Sequence, residues 1–421
     1  MVDPPLRVSR SPLHEFPDAA PTPVGDAPGM SNASGDPRIV IVGGGVAGAE
    51  ALLALSALAR VRLDVRLVSR DPDFHYRPLD IDEPFGMGRA RRYGLDELAR
   101  GAGATFVCDA LIRIDADARR VLLAGGDELP YDALVMAAGA ASHPAFEYGV
   151  TFDQQLDPGE FDEILADNRA GFARRLAIIV PAGVSWTLPA YELALRTATW
   201  MAQSGEPEVT LVTPEAEPLG IFGHETATEV ARVLEDAGVR LLAGANALPM
   251  SNTTYSMRPS GTWGEADRIV ALPQLSPPRI PGMPHDQAGW IPADQHGRVP
   301  GHDGLYAAGD GTSFWIKQGG IAAQQADAAA QHIAATLGAS GQQPEPFRPI
   351  LRGMLRTRDG ARYMRADLGG GEPPSVSSEP LWWPPGKIAS RWLAAHLAGE
   401  DLGVQERARY MRRVAMARRK R

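Results

Sequence analysis

The stretch Arg38-Ile-Val-Ile-Val-Gly-Gly-Gly-Val-Ala-Gly48 decides the fold of this chain. After Arg38 it opens with four β-branched residues, which predict a buried strand. A G-x-G-x-x-G turn follows over Gly43-Gly44-Gly45-Val46-Ala47-Gly48, and an Ala/Leu-rich stretch from Ala47 to Ala59 predicts a helix. Leu63 to Val68 predicts the next strand. This order of strand, glycine turn, helix and strand indicates a Rossmann-like βαβ unit.

The three spaced glycines of the turn each have a physical role in binding a dinucleotide. Gly43 permits the tight turn, and Gly48 lets the helix pack closely on the strand. Gly45 has no Cβ, so a pyrophosphate can approach the backbone. We expect the phosphates at the N-terminus of the helix, where the remaining residues of the turn also contribute. The turn therefore predicts a dinucleotide cofactor.

The end of the second predicted strand departs from the usual pattern. An acid normally stands there and binds the ribose hydroxyls. In this chain Ser69 and Arg70 take that position. A serine hydroxyl can still hydrogen-bond a ribose and an arginine can stack on adenine, so we expect both residues to contact the cofactor. The departure bears on which nucleotide binds and leaves the predicted fold unchanged.

Composition and charge limit the classes of protein to which the chain can belong. Its 421 residues suit two or three domains, and a hydrophobic content of 44% suffices for a core that encloses a cofactor. The net charge of −9 argues against nucleic-acid binding. No apolar run is long enough to span a bilayer and the N-terminus lacks an apolar signal core. We therefore expect a cytoplasmic protein, with any membrane contact confined to its surface.

Cys108 is the single cysteine of the chain. One cysteine cannot form an intrachain disulfide or a multi-cysteine metal site, so we predict neither a redox-active thiol pair nor a metal. Because Cys108 ends the apolar, strand-like run that begins at Thr105, we expect a buried and inert thiol.

A second unit of the same kind begins at Leu176. Leu176 to Val180 predicts a strand, Tyr191 to Met201 a helix and Val209 to Val212 another strand. Gly304 to Ala308 predicts a further strand, which precedes a glycine-rich turn and a long Ala/Gln-rich helix. The fold class is therefore α/β, with two Rossmann-like dinucleotide-binding domains in tandem and a small C-terminal region.

Four separated segments resemble a single family of proteins. They are the first glycine turn, Tyr131–Gly139, Gly304–Asp310 and Lys317–Gln325. Through them the chain resembles the glutathione-reductase-like flavoproteins, the FAD-dependent pyridine nucleotide-disulfide oxidoreductases, over residues 37 to 335. Within this group it is most similar to the branch of sulfide:quinone oxidoreductases and type II NADH:quinone dehydrogenases, although it lacks their redox cysteines.

The resemblance implies FAD as the cofactor and places particular segments near it. Asp310 is expected at the ribityl–phosphate region, and the helix that follows Lys317 directs its N-terminus at the flavin ring. Lys317 is the candidate catalytic residue: it either adds a positive charge beside the flavin or is a solvent-exposed lysine. Besides the turn, Ser69 and Arg70, the predicted FAD site includes eight further residues. They are Arg77, Ala138, Gly139, Gly309, Asp310, Gln318, Gly319 and Gly320.

The composition and the resemblance together divide the chain. Residues 1–36, rich in Pro, Asp, Ser and Gly, predict a disordered leader. Residues 37–145 and 300–337 form the FAD-binding domain, which is split in sequence. Residues 146–299 form an NAD(P)-binding-like domain, and residues 338–421 form the C-terminal region with its basic tail.

The turn of the second unit is incomplete. It keeps Gly183 from the glycine pattern, but Pro181 takes the place of the first glycine and offers no N–H to a phosphate. Trp186 stands where the similar branch has a cysteine, and it either shields a flavin face or fills core space. Glu192 matches the acid of the family's NAD domain. Gly183, Trp186 and Glu192 are thus candidate contacts for NAD(P)H or substrate, and whether NAD(P)H binds stays open.

The main hypothesis is an FAD-dependent oxidoreductase that passes electrons from NAD(P)H or another small donor to a quinone-like acceptor. The alternative is a non-catalytic flavin-binding scaffold or redox sensor, which the incomplete second turn favours. Trp382, Trp383 and the basic tail after Val404 either make a peripheral membrane contact or are packing residues and a solvated tail. A homodimer is also left open.

Overall fold

The computed structural model describes residues 35–400, apart from residues 154, 155, 157, 158, 204, 206 and 207. The predicted leader, except for its last two residues, and the basic tail lie outside the described residues. The helices are α1 (Val46–Leu58), α2 (Leu95–Gly101), α3 (Glu160–Arg169), α4 (Leu188–Met201), α5 (His224–Asp236), α6 (Gly319–Thr336) and α7 (Leu393–Glu400), with 3-10 turns at Arg77–Asp82 and Gly220–Phe222.

The strands fall into two groups along the chain. The first ten are β1 (Arg38–Val42), β2 (Asp64–Ser69), β3 (Asp73–His75), β4 (Arg92–Gly94), β5 (Thr105–Cys108), β6 (Leu111–Asp115), β7 (Arg120–Leu123), β8 (Glu128–Pro130), β9 (Ala133–Met136) and β10 (Ala141–His143). The others are β11 (Val150–Thr151), β12 (Arg175–Ile179), β13 (Glu208–Val212), β14 (Val239–Leu242), β15 (Asn246–Pro249), β16 (Thr254–Arg258), β17 (Trp263–Glu265), β18 (Arg268–Ala271), β19 (Gln274–Ser276), β20 (Leu305–Ala307), β21 (Ile350–Thr357), β22 (Gly360–Asp367) and β23 (Ser375–Ser377).

The first sheet is parallel, with the strand order β20-β9-β1-β2-β5. The β-branched residues of β1 are buried on both faces, as a parallel sheet requires. Ile39 and Ile41 pack with α1, α2 and α6, whereas Val40 and Val42 pack with the antiparallel strands β6, β7 and β8. This alternation explains why the run from residue 39 to residue 42 is continuously apolar.

The second sheet repeats this plan. Its strands are parallel in the order β11-β18-β12-β13-β14. Leu176 and Ile178 face the helices α4 and α5, while Ala177 and Ile179 face the antiparallel strands β15, β16 and β17. The predicted α/β class with two Rossmann-like folds is confirmed.

The chain crosses between the two folds through one antiparallel pair, β10 with β19. After β19 it returns to the first fold earlier than the predicted boundary at residue 300. Met283, Ile291 and Val299 already belong to the core between the first sheet and β6–β8. These residues lie in irregular segments, so no strand or helix period in the sequence marks the return.

The C-terminal region packs on both folds. Strands β21, β22 and β23 form an antiparallel sheet whose Leu351, Leu355 and Met364 join the core around α4. Helix α7 places Leu393 and Leu397 in the core around α1. Within the described part of the chain, no helix has the length and apolar character that crossing a membrane would require.

Candidate active site

The first glycine turn is closed on its sheet side and open on the other. Gly43 has φ +117°, and a Cβ there would lie 2.1 Å from the Ala137 carbonyl oxygen. A Cβ on Gly48 would lie 1.8 Å from the Gly43 carbonyl oxygen. A Cβ on Gly45, in contrast, would meet nothing within 4 Å. Only glycine fits the first two positions, and the space above Gly45 is free for a ligand.

Segments far apart in the sequence meet at this turn. A Cβ on Gly309 would lie 3.1 Å from the Ala47 Cβ, and its N–H donates to Gln325 Oε1 at 2.8 Å. A Cβ on Gly311 would lie 2.8 Å from the Gly139 carbonyl oxygen. The carboxyl ends of β1, β9 and β20 are neighbours in the sheet, so the segments that follow them converge at one edge.

Ser69 and Arg70 differ in their relation to the turn. Ser69 is buried at the end of β2, and a Cβ on Gly44 would lie 2.8 Å from its Oγ. The Arg70 side chain is 83% exposed and pairs with Asp71 at 3.6 Å. The structure therefore brings Ser69 to the turn and leaves Arg70 at the surface, where its stacking on adenine stays a prediction.

Asp310, Lys317 and Arg77 form a charged group beside the turn. Burial raises the pKa of Asp310, and the positive charges of Lys317 and Arg77 oppose that shift. Burial lowers the pKa of Lys317 to about 8, while Asp310 and Asp286 oppose the shift. Because the fields of both cations reach Asp310, the three predicted residues lie in one electrostatic environment.

Lys317 is held by backbone and by an aromatic ring. Its Nζ donates to the carbonyl oxygens of Thr312 and Phe314, and it lies 3.8 Å from the centre of the Trp290 ring. Its backbone N–H donates to Ser185 Oγ at 3.2 Å. Lys317 is thus a half-buried cation at the junction of the two folds, and the solvent-exposed alternative is wrong.

The N-terminus of α6 lies next to that of α1. Gln318 caps α6, since its Oε1 accepts the Ile321 N–H at 2.9 Å. A Cβ on Gly319 would lie 3.6 Å from Val46 Cγ2 and 3.3 Å from Ile388 Cγ1. A Cβ on Gly320 would lie 3.3 Å from the Ala389 carbonyl oxygen. Two positive helix ends therefore converge, and the C-terminal region covers one side of them.

The predicted contacts on the second turn are placed differently from one another. Gly183 has φ +84° and open space around it, which fits a ligand-facing turn. Trp186 is partly buried against the core, with its ring 6.2 Å from that of Phe222. Glu192 is fully buried and accepts two hydrogen bonds of 2.7 Å from Lys387 Nζ. The Glu192 carboxylate is therefore engaged by Lys387 and not presented on the open surface of the turn.

An acid also stands at the end of the second strand of this fold. Glu215 follows β13 after two residues, and its Oε2 accepts from Tyr191 OH at 2.6 Å and from Thr213 Oγ1 at 3.1 Å. Burial raises the pKa of Glu215, and the hydroxyls of Tyr191, Thr187 and Thr213 oppose that shift. The sequence pattern did not single out this carboxylate.

Lys387 and Glu50 are two further buried charged residues that the sequence pattern did not single out. Burial lowers the pKa of Lys387 and raises that of Glu192, and each charge opposes the shift of the other. Burial raises the pKa of Glu50 to about 7, against the N–H groups of Leu393 and Trp392. One signal was available: an acid inside an apolar helix, as Glu50 and Glu192 are, needs a buried partner.

The prediction for Cys108 is wrong. The thiol is exposed, because β5 is the edge strand of the first sheet and Cys108 is its last residue. It lies in register with Ser69 on β2, at the same sheet edge as the glycine turn. Within the residues that the structure describes, no cluster of three metal-binding side chains occurs.

Comparison with known proteins places this geometry in a family. A family model described as pyridine nucleotide-disulphide oxidoreductase matches residues 37–330. The chain therefore belongs to the pyridine nucleotide-disulphide oxidoreductase family, a family of flavoprotein oxidoreductases, and the predicted family is confirmed.

Individual relatives agree with that assignment. An NADH dehydrogenase-like protein of Mycobacterium tuberculosis is 26% identical over 292 residues, which cover 65% of this chain and 72% of the relative. The sulfide:quinone oxidoreductase of Aquifex aeolicus superposes with a TM-score of 0.73 at 19% identity, over 81% of this chain and 86% of that one. An NAD-dependent persulfide reductase from A. fulgidus superposes with a TM-score of 0.57 at 18% identity, over 78% and 64% of the two chains. At these identities the superpositions establish a shared fold.

Proposed function

We propose that this chain is an FAD-dependent oxidoreductase that passes electrons from a small donor to a quinone-like acceptor without a redox-active cysteine pair. The observation that carries the proposal is the meeting of two distant segments. The turn from Gly43 to Gly48 and the segment Gly309–Asp310 lie side by side, with free space above Gly45. A dinucleotide that spans both would have its pyrophosphate at the N-terminus of α1.

The residues present fit FAD. Gly45 would admit the pyrophosphate, Ser69 would bind ribose, and Asp310 would bind the ribityl–phosphate region. The capped N-terminus of α6 would lie at the flavin ring, where its positive end favours negative charge. Bound FAD supplies the hydride and electron transfer, and the protein supplies position and electrostatics.

A buried proton donor pair supports a quinone-like acceptor, which takes up protons together with electrons. In a buried site Lys387 Nζ donates to both carboxylate oxygens of Glu192, and it also donates to the Pro78 carbonyl oxygen at 2.8 Å. Lys317 and Lys387 are the only lysines before residue 420, and all other cations up to that point are arginine or histidine. Lysine, unlike arginine, can release a proton when it is buried. We therefore assign Lys317 and Lys387 as the candidate proton donors.

The incomplete second turn bears on the identity of the electron donor. If NAD(P)H is the donor, Glu215 at the end of β13 favours NADH, since a carboxylate repels the 2′-phosphate of NADPH. Pro181 removes one N–H from the pyrophosphate position. Both features support weak NADH binding or a different small donor.

The test uses the purified full chain reconstituted with FAD. Visible absorption of bound flavin checks the cofactor, and slower labelling of Cys108 by a thiol reagent when FAD is present checks its place, since Cys108 shares the sheet edge with Ser69. Anaerobic addition of NADH, NADPH or sulfide should bleach the flavin if that donor is used. A short-chain quinone should then restore the oxidised absorption.

Two variants sharpen this test. Glu192→Gln should slow reoxidation by the quinone about tenfold or more, measured on protein saturated with FAD, because it removes a proton-carrying group. Glu217→Gln, at an exposed site in the second fold, should leave both half-reactions unchanged. A protein that refuses FAD contradicts the proposal. Bound FAD that only dithionite reduces would favour a flavin-binding scaffold or redox sensor instead.

A further inference from the structure

Glu50 binds the start of the last described helix. It lies on α1, two residues after Gly48, and it is fully buried. Its Oε1 accepts the backbone N–H groups of Arg391 and Trp392, both at 2.9 Å, and its Oε2 accepts that of Leu393 at 2.6 Å. Because α7 begins at Leu393, one carboxylate satisfies three donors at a helix N-terminus.

Residues 386–393, which we call the strap, are fastened at three further points. Lys387 bonds to Glu192, as described above. The Ile388 N–H donates to Tyr76 OH at 3.1 Å. Trp392 Nε1 donates to Asp327 Oδ1 at 2.8 Å, and Asp327 lies on α6. The strap is therefore tied to α1, to α4, to α6 and to the segment before Arg77.

The strap lies directly on the predicted flavin site. Ile388 and Ala389 are among the residues that would contact a Cβ on Gly319 and on Gly320, at the first turn of α6. Helix α1 connects the glycine turn to the strap. Its N-terminus carries the glycine turn, and one turn further along Glu50 holds the strap.

We propose that Glu50 is a latch that holds the strap closed over the flavin site, so that opening at Glu50 controls the release of FAD. This inference rests on the FAD binding proposed above. Without the carboxylate, three backbone N–H groups lose their acceptor in a buried site, which favours an opened strap that returns them to water. Glu50 acts as a positioning residue, because the contacts that reach the site are those of the strap.

The first experiment uses Glu50→Gln. The carboxamide offers one oxygen, and its NH2 group would face a backbone N–H, so the arrangement of three donors is broken. FAD release, followed by the fluorescence of free FAD after dilution, should become about tenfold faster, equivalent to about 1.4 kcal/mol. Hydrogen exchange of residues 391–395 should also rise, whereas that of β1 and β12 should not change.

A second variant keeps the test valid if Glu50→Gln does not fold. Trp392→Phe retains a ring and removes the hydrogen bond to Asp327, so FAD release should become about threefold faster. Glu97→Gln, an exposed acid in the first turn of α2, is the control and should match the wild type.

The outcomes separate the two proposals. Faster exchange in the strap with an unchanged FAD release rate overturns the latch and leaves the proposed function standing. A uniform rise in exchange across both sheets would also overturn it, because Glu50 would then stabilise the whole fold. A wild-type protein that binds no FAD overturns both proposals.

Discussion

In the first dinucleotide fold Asp132 forms an ion pair with Arg38 at the start of β1, and in the second Asp267 forms an ion pair with Arg175 at the start of β12. We call these two ion pairs the clasps. In each, the carboxylate accepts the arginine backbone N–H, at 2.8 Å and 2.9 Å, and the guanidinium Nη2 at 2.9 Å. Both folds also have parallel sheets with helices on one face and three antiparallel strands on the other.

The difference between the folds lies in the turn after the first strand. The first turn has Gly43 and Gly48 where a Cβ would collide with backbone, and open space at Gly45. The second has Pro181 and Gly183, and it is tied to the first fold through Ser185 and Lys317. The two folds therefore share their sheet architecture and the ion pair at the start of the first strand. They differ at a few positions of one turn, and these positions control how closely a nucleotide could approach the backbone.

The largest effect is expected from Gly48→Ala, compared with Gly183→Ala. The added Cβ at Gly48 would lie 1.8 Å from a carbonyl oxygen, so we expect the unfolding free energy to fall by about 3 kcal/mol. FAD binding should be lost as well. The same change at Gly183 meets open space, and φ +84° alone should cost about 1 kcal/mol. Denaturant unfolding followed by circular dichroism measures both. Equal losses in the two variants would remove the distinction between the turns.

Gly45→Ala should separate binding from folding. Gly45 has φ −81° and open space, so alanine fits the backbone and the unfolding free energy of the apoprotein should hardly change. The methyl group enters the space predicted for the pyrophosphate, so FAD affinity should fall at least tenfold, or about 1.4 kcal/mol. Fluorescence titration with FAD is the measurement. Unaltered affinity would show that the phosphates lie elsewhere.

The two clasps should respond alike. Asp132→Asn and Asp267→Asn should each cost about 1–2 kcal/mol, a range reduced for partial exposure. The Arg38 side chain lowers the pKa of Asp132; burial raises that of Asp267, but the N–H groups of Arg174 and Arg175 make the net shift downward. Each clasp therefore stabilises above the unfolded pKa and is lost as the pH falls. Unfolding at pH 7 and at pH 3 checks this, and a much larger loss at one site would break the symmetry.

A further pH dependence of stability is expected from the first fold alone. Burial lowers the pKa of His332 to about 4, and the neighbouring His296 and Arg298 add to the shift. Since the unfolded chain binds this proton more readily, stability should fall by about 1–2 kcal/mol as the pH drops from 6.5 towards 4. His332→Gln should flatten that slope in unfolding curves. His224→Gln, whose side chain is 83% exposed, should leave it unaltered.

The sequence predicted those parts of the fold and site that depend on residue type at fixed spacing. The turn from Gly43 to Gly48 is such a case, because a Cβ at Gly43 or at Gly48 would collide with a backbone carbonyl oxygen. Ser69 was expected at the end of the second strand, and it is the last residue of β2, beside the turn, whereas the role predicted for Asp310 came from the family resemblance. The exposure of Cys108 could not, since strand order decides which strand lies at the edge of a sheet.

Contacts between distant segments were beyond the reach of local patterns. Glu192 meets Lys387, 195 residues away, and Glu50 meets Arg391, 341 residues away. The sequence showed each acid in an apolar helix, but the identity of a partner depends on how the C-terminal region packs. The same holds for the return to the first fold near Met283, which no helical or strand period marks.

The edge strand β20 reaches the first sheet only after the whole second fold has been passed along the chain. During synthesis, β12, β13, β14 and β18 can therefore assemble while β9 still has an open edge. The first fold is completed only by a pairing of high sequence separation, which is slow to form. A nascent chain would consequently complete the site predicted for FAD late, after the second fold has already formed.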